Sequence, residues 1–514
     1  LIEGVAIAFR DFDREYRRPD YLLDALWRAV EEGPADRGYH HLIGPEGIGK
    51  TYLARGLQRD ESRHHRTAVL CYFIRPGESR RHQAFLYELG NQVRSSSRLT
   101  RGQFDLQIKG ATTPEQYQAE LVEYLGKLQE TNGLDALILA IDGLDDLAEP
   151  ESPKTPLLTD YLPPSDRLPK GCFIVLTSRP GLARRVQSDL DRLARDSGAR
   201  GFQRHQLDPR SPGNLEVLRA YLGERLPPRY RDPASVEAVV ERSGGIFLYA
   251  YHATVALEEG GPFSSLADLP AAGQYYPAYL DRLRSQVGVR LFDEVYLQAA
   301  LLLAAARRPV TLDQLNTWGL GRDGLGSAMH ALRDLLREHR ESRWHDSLSD
   351  QPAREHRYEI AHQAFLRYLQ DDPVLAVRLR DAHAQIARAC VPPPGHRWSE
   401  LDPTDDAQLY SLLHAREHAD LGQTDILAQE LADDEAYAET CFGAGVQALK
   451  IDRSLIAIPL FDQAIAIRRD LVERRGRAEL ANDLAAALMN KGVALRGQGE
   501  LAAAIDAYDQ AIAI

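Results

Sequence analysis

Cysteine is scarce and scattered in this chain. The four that occur, Cys71, Cys172, Cys390 and Cys441, lie far apart and form no paired spacing. That argues against a disulfide framework or a zinc knuckle and predicts a reducing, cytoplasmic setting. No apolar run approaches the length of a bilayer span, and the N-terminus lacks the layout of a signal peptide, so no membrane partner is expected. Positive charge is also in deficit: 62 Lys and Arg stand against 75 Asp and Glu, a formal net charge of -13. The balance speaks against a large nucleic-acid surface. A chain of 514 residues is too long for one core, so three or four domains are expected. It opens at Leu1 and stops inside a helical pattern at Ile514, and is expected to be a piece of something longer at one or both ends.

Glycine, by contrast, is concentrated where it matters. The stretch "HLIGPEGIGKTYLARGL", His41 to Leu57, satisfies G-x-x-x-x-G-K-[ST] with Gly44, Gly49, Lys50 and Thr51, and adds Gly47. Glycines let backbone N–H groups turn inward around phosphate oxygens with no Cβ in the way. A lysine here neutralises the β- and γ-phosphates, and the hydroxyl after it reaches Mg²⁺. "YHHLIG" reads as a short buried strand and "TYLARGL" as a helix whose positive end faces the same anion. The candidate nucleotide-binding residues are Gly44, Pro45, Glu46, Gly47, Ile48, Gly49, Lys50, Thr51 and Tyr52. ATP or ADP with Mg²⁺ is the expected cofactor.

Such a loop needs a carboxylate from a neighbouring strand. "LDALILAIDGLDDL" supplies one: Leu137 to Ile141 is a continuous apolar run, as in a strand covered on both faces, and it ends at Asp142. An acid at that end sits in the crevice where open α/β sheets bind ligands. Asp142 and Thr51 are therefore the candidate metal ligands, and Asp145 or Asp146 is a candidate for orienting a water. A third strand, "CFIVLTSRP", ends at Arg179, which is placed to sense a γ-phosphate through charge-assisted hydrogen bonds. "AVLCYFI" and "GFQRHQL" complete five strands alternating with helical patterns, which predicts an α/β fold with a parallel sheet covered on both faces.

The set GPEGIGKT, IDGLDD and LTSRP resembles the STAND class of P-loop ATPases, and within it the NACHT-like branch related to NLR proteins. A small residue after the Mg²⁺-binding acid and a pair of acids two positions later mark that branch. Gly143, Asp145 and Asp146 match, with Asp146 where glutamate is more usual. The resemblance implies a helical lead-in over 1–35, the NTPase domain over 36–208 and a small helical domain over 209–285. Where many relatives bring a proline to the nucleotide base, this chain has Ile246 and Phe247. Residues 286–372 read as a winged helix, with three helical patterns, a polar hairpin region and "RYEIAHQAFLRYL". In the family the histidine of that segment reaches the β-phosphate of ADP and holds the closed state; His362 takes its place. Arginines at 324–340 are interleaved with acids, so no phosphate-tracking face is evident there. A helical connector is expected over 373–434.

The end of the chain repeats itself. "FDQAIAI" at 461–467 returns as "YDQAIAI" at 508–514, and the same shift of 47 carries Gly445-Val446 onto Gly492-Val493. This is similar to tetratricopeptide repeats, here over 435–514 and expected to continue beyond Ile514. Such repeats imply a protein ligand. The resemblance as a whole implies a slow, nucleotide-switched signalling ATPase that forms homo-oligomers and drives an effector domain lying outside this sequence. A bacterial antiviral or innate-immune sensor is the first expectation. A transcriptional regulator of the same class, with its DNA-binding domain elsewhere, is the second, and a metabolic kinase the third and weakest.

Overall fold

The computed structural model describes residues 18–33, 35–64, 66–74, 85, 89–90, 92–93, 99, 113–147, 157–258, 263, 265–342, 354–392, 396–423, 434–451, 453–498 and 501–514. Residues 1–17 of the expected lead-in, 343–353 of the expected hairpin and 424–433 of the expected connector lie outside them. The chain divides into two compact units, Leu1–Tyr275 and Tyr276–Ile514.

The first unit is built on strands β1 (Gly38–Ile43), β2 (Thr67–Phe73), β3 (Ala136–Asp142), β4 (Cys172–Ser178) and β5 (Phe202–Gln206). They form one five-stranded sheet in the order β2-β3-β4-β1-β5, and every pairing is parallel. Side chains of a strand alternate between faces, and β3 shows what that does here. Leu137, Leu139 and Ile141 enter one buried cluster with Leu70, Ile174 and Leu176. Ile138 and Ala140 enter another with Leu42, Leu53, Leu57 and Val175. Both faces are thus apolar, and helices cover both. α1 (Asp20–Glu31) and α2 (Lys50–Asp60) bring Leu23, Leu26, Leu53 and Leu57 to one face. α3 (Pro114–Asn132) and α4 (Arg184–Gly201) bring Leu121, Leu125, Leu128 and Leu190 to the other. α3 starts where it does because Thr113 and Gln116 form a capping box around Pro114, and it stops at Gly133, whose φ of 58° suits glycine.

Past the sheet, α5 (Pro212–Arg225), α6 (Pro233–Ser243) and α7 (Phe247–Ala256) form a small helical group. α6 is capped by Asp232, which accepts from Ser235 N, and ends on Gly244 in the left-handed region. Among the described residues of the whole chain, no helix is long and apolar enough to cross a membrane. All four cysteines are buried and free.

The second unit runs through α8 (Tyr275–Val287), α9 (Leu297–Ala305), β6 (Val310–Thr311), α10 (Leu312–Leu315), α11 (Leu325–Ala331), β7 (Leu336–Ser342) and β8 (Arg354–Ile360). β6, β8 and β7 pair antiparallel in that order, so helices followed by a hairpin occupy the 286–372 region. α12 (Gln363–Asp371), α13 (Pro373–Cys390) and α14 (Asp406–Leu421) follow. Two helical pairs close the chain: α15 (Asp434–Lys450) with α16 (Ser454–Arg469), and α17 (Ala481–Gly497) with α18 (Leu501–Ala513).

The 47-residue shift has a packing cause. A Cβ on Gly445 would lie 2.7 Å from the Phe461 ring, and one on Gly492 would lie 2.4 Å from the Tyr508 ring. In each pair a glycine lets the aromatic ring of the partner helix lie against bare backbone. Gly445→Val should therefore cost about 1–3 kcal/mol through forced separation of α15 and α16. Hydrogen exchange over 434–469 should report lost protection, and unchanged protection would show that the contact is dispensable.

α13 and α14 meet through buried histidines. His383 Nδ1 and His418 Nδ1 are 2.8 Å apart, and His418 Nε2 is 2.8 Å from the Tyr410 hydroxyl, which accepts from Arg307 N at 3.2 Å. One hydrogen serves each contact, so the two rings cannot both be charged. Burial pushes His383 down to about 4, with the nearby Arg307 charge acting in the same direction. A depressed histidine stabilises the fold above its unfolded value near 6.5, and that contribution is lost as pH falls through the folded value. Going from pH 7 to pH 5 should cost about 2 kcal/mol for His383 alone. Exchange protection of 373–390 and 406–421, corrected for intrinsic rates, should drop accordingly; a pH-independent protection would contradict the neutral-ring arrangement.

Candidate functional site

The order of the sheet decides which loops meet. β4 lies between β1 and β3, so the turn after β1 and the end of β3 face each other across the end of β4. The β1 turn carries the glycine-rich sequence. Gly44 N donates to Ser178 O on β4 at 3.1 Å, which ties the start of the loop to the sheet. Gly47 has φ 74° and Gly49 has φ 105°, values that L side chains rarely adopt. A Cβ on Gly47 would also lie 2.7 Å from Leu248 Cβ. Gly49 is the N-cap of α2 and offers no side chain to the first-turn N–H groups of Lys50, Thr51 and Tyr52. Those groups are the anion-binding end of the helix. Lys50 folds back into the loop and donates to Gly44 O at 2.7 Å and to Pro45 O at 2.9 Å. Ile48 is buried and anchors the loop in the core, whereas Pro45, Glu46 and Tyr52 are half-buried.

At the end of β3, Asp142 accepts from two hydroxyls. Thr51 Oγ1 donates to its Oδ2 at 2.6 Å, and Thr177 Oγ1 on β4 donates to its Oδ1. Thr177 also accepts from Gly143 N at 3.2 Å. Burial pushes the Asp142 carboxyl above the usual range, opposed by the Thr177 and Thr51 hydrogen bonds and the Lys50 charge, while Asp145 adds to the rise. Gly143, with φ 90°, turns the chain so that Asp145 and Asp146 follow on a short 3-10 turn.

Arg179, one residue past β4, is held by Asp145. Its backbone N donates to Asp145 Oδ1 at 2.9 Å and its Nε donates to Oδ2. Asp146 and Glu46 each place a carboxylate oxygen 3.7 Å from the same guanidinium. The two residues assigned separate tasks from the sequence, Arg179 and Asp145, are thus one pair.

The residues present fit a nucleoside polyphosphate. The cradle is made of backbone that a Cβ would block at Gly47, it closes on a helix N-terminus, and its lysine lies within the loop. Among the described residues no group of three or more His, Cys, Asp or Glu side chains is arranged to hold a metal. Thr51 and Asp142 instead offer the one or two protein oxygens that Mg²⁺ takes beside phosphate oxygens and water.

Several supporting residues have weak sequence signals. Thr177 is a polar residue at the last turn of an apolar strand, a signal that could have found it. His41 Nε2 lies 2.8 Å from Ser178 Oγ, behind the loop, and burial pushes His41 down to about 4. Leu248 N, in the first turn of α7, donates to Gly47 O at 3.0 Å, so the helical group touches the phosphate loop through backbone. Asn214 fixes that approach: its Nδ2 donates to Pro209 O at 2.7 Å and Gly245 O at 2.8 Å, and its Oδ1 accepts from Tyr21 at 3.2 Å. Ile246 and Phe247 stand in this same segment, with Ile246 against Gly47. Contacts between positions so far apart in sequence leave no local trace.

His362 lies in the second unit, as the N-cap of α12. Burial, with Arg337 in support, pushes its ring down to about 4.

Comparison with known proteins adds one family. Residues 39–208 match the model of the NACHT domain. No curated protein matches the chain. Among solved structures, a signal transduction ATPase with numerous domains (STAND) bearing a tetratricopeptide repeat sensor, from Pyrococcus horikoshii, is similar at 12% identity. The match covers 95% of this chain and 76% of that one, with a TM-score of 0.36. The ORC2 protein of Aeropyrum pernix, in ADPNP–ADP complexes, is 13% identical over 70% of this chain and 93% of its own, with a TM-score of 0.32. Cdc6p of Pyrobaculum aerophilum is 14% identical over 71% and 93%, with a TM-score of 0.32. The parallel sheet, the glycine-rich loop closing on α2 and the family match agree, and residues 39–208 form a NACHT-type P-loop NTPase domain.

Proposed function

We propose that this chain is a nucleotide-controlled signalling switch with slow ATP hydrolase activity, acting in the cytoplasm. The observation that supports it is the meeting of three elements at one sheet end. The loop residues 44–51, the Asp142 carboxylate with its two threonines, and Arg179 are joined there by direct hydrogen bonds or by the β4 backbone. Lys50 and the α2 N-terminus would hold the phosphates; Thr51 and Asp142 would hold Mg²⁺. Bound there, the nucleotide and its metal would supply concentrated negative and positive charge at this end of the sheet. Asp145 or Asp146 would orient a water, and Arg179 would report the terminal phosphoryl by charge-assisted contacts.

In this reading the chain rests with ADP. Leu248 against Gly47 lets the helical group sense the loop, and His362 of the winged-helix segment stabilises the resting form. The tetratricopeptide-like pairs over 435–514 capture a protein ligand. Capture opens the chain only if that ligand prefers the open form. Taking the population from 1:99 to 99:1 requires roughly 5.5 kcal/mol of such preference. The open chains assemble with copies of themselves and drive an effector, as in a bacterial antiviral or innate-immune sensor. A transcriptional regulator of the same class is the second reading; a basic DNA-binding module elsewhere in the full protein would favour it.

Lys50→Ala should abolish nucleotide binding in calorimetry, and an undiminished affinity would remove the loop from the account. Asp142→Ala should keep nucleotide and lose Mg²⁺-dependent turnover; a normal rate would free the carboxylate from its assigned role. Asn214→Leu removes the donor from the buried Gly245 carbonyl and the part-buried Pro209 carbonyl, at a cost of about 1–3 kcal/mol. It should speed ADP release, and so should His362→Ala. Release at the parent rate in both variants would show that neither segment senses the nucleotide.

A further inference from the structure

The loop that should attract phosphate carries an acid. Glu46 sits between Gly44 and Gly49, and its Oε2 is 3.7 Å from Arg179 Nη1. Asp146 Oδ1 is 3.7 Å from Nη2, and Asp145 takes Nε and the backbone N. Three carboxylates from two loops therefore surround one guanidinium. None of the four side chains is more than a third exposed: Arg179 is at 21%, Asp145 at 11%, Asp146 at 19% and Glu46 at 33%. Partial withdrawal from water makes such pairs stronger than fully exposed ones. An acid inside an anion cradle works against the cradle, and local conflicts of this kind mark functional positions.

We propose that Glu46, with Asp145 and Asp146, forms a carboxylate cradle that keeps Arg179 occupied and gives the site its preference for a nucleoside diphosphate over a triphosphate. The proposal rests on the nucleotide-switch reading above. Arg179 can serve a terminal phosphoryl only by leaving part of this cradle, and the added phosphate charge meets the same carboxylates. A diphosphate asks for neither change. Asp145 is bound through both backbone and side chain of Arg179, so it is the fixed member. Glu46 and Asp146 both lie 3.7 Å from the guanidinium, and Glu46 is carried by the phosphate loop, so it is the member that yields when the loop takes up a further phosphate. Glu46 is a specificity-determining residue acting through Arg179.

The test is calorimetric titration of the full chain with ADP and with a non-hydrolysable ATP analogue, each with Mg²⁺. The proteins are the parent, Glu46→Gln, Arg179→Ala and the double variant. Glu46→Gln should raise the affinity for the analogue relative to ADP by about tenfold, which is roughly one ordinary charge interaction. On the Arg179→Ala background the same change should move the ratio by less than about threefold. Asp146→Asn should shift the ratio in the same direction, and stands in if Glu46→Gln does not fold. An unchanged ratio, or equal tightening of both ligands, would overturn the cradle while leaving the nucleotide site intact. If the parent binds neither ligand, the nucleotide reading itself fails, and the cradle with it.

Discussion

Asp142 is the pivot of the first unit. A buried carboxylate is expensive unless hydrogen bonds satisfy it, and here Thr51 and Thr177 do so from two different elements. Those bonds fix the first turn of α2 and the end of β4 against the end of β3. The phosphate loop is strung between β1 and α2, so its shape follows from the same constraint. Gly44 N on Ser178 O closes the frame from the other side. Remove the carboxylate and the two threonine hydroxyls lose their shared acceptor, while Gly44 N and Lys50 still hold the loop.

Around that pivot the architecture arranges charge. Lys50 and the α2 N-terminus bring positive charge to the loop, while Glu46 from the loop itself and Asp145 and Asp146 from the β3 end bring negative charge around Arg179. The contact of Leu248 N with Gly47 O gives the helical group a direct mechanical link to the loop. The second unit is held by different means. Its inner helices meet through neutral imidazoles, and its terminal pairs meet through glycine against aromatic ring.

Contiguous features were legible in the sequence. The phosphate loop, the apolar run ending at Asp142 and the strand ending at Arg179 each lie within one short segment, so residue type and spacing suffice to find them. The alternation of apolar runs with helical patterns was enough for a parallel five-stranded α/β sheet, because strands buried on both faces have no polar side to disguise them. The 47-residue shift was visible for a similar reason: equivalent packing demands equivalent residues. Strand order was not legible, since no local signal says that β4 separates β1 from β3. Everything depending on that order was hidden with it. The Asp145 clamp on Arg179, the Thr177 bond to Asp142 and the His41–Ser178 contact all cross between strands or loops distant in sequence. The tie from Asn214 to Gly245 spans 31 residues and depends on how α5 sits against the α6–α7 turn.

The central claim is that the sheet edge at Gly44–Thr51, Asp142 and Arg179 grips a nucleotide and prefers its diphosphate form. The most direct measurement is to denature the freshly purified full chain and identify what small molecule it releases, by chromatography and mass spectrometry. The account predicts ADP at close to one per chain. Release of no nucleotide, together with no binding of added ADP or ATP at millimolar concentration, would contradict it.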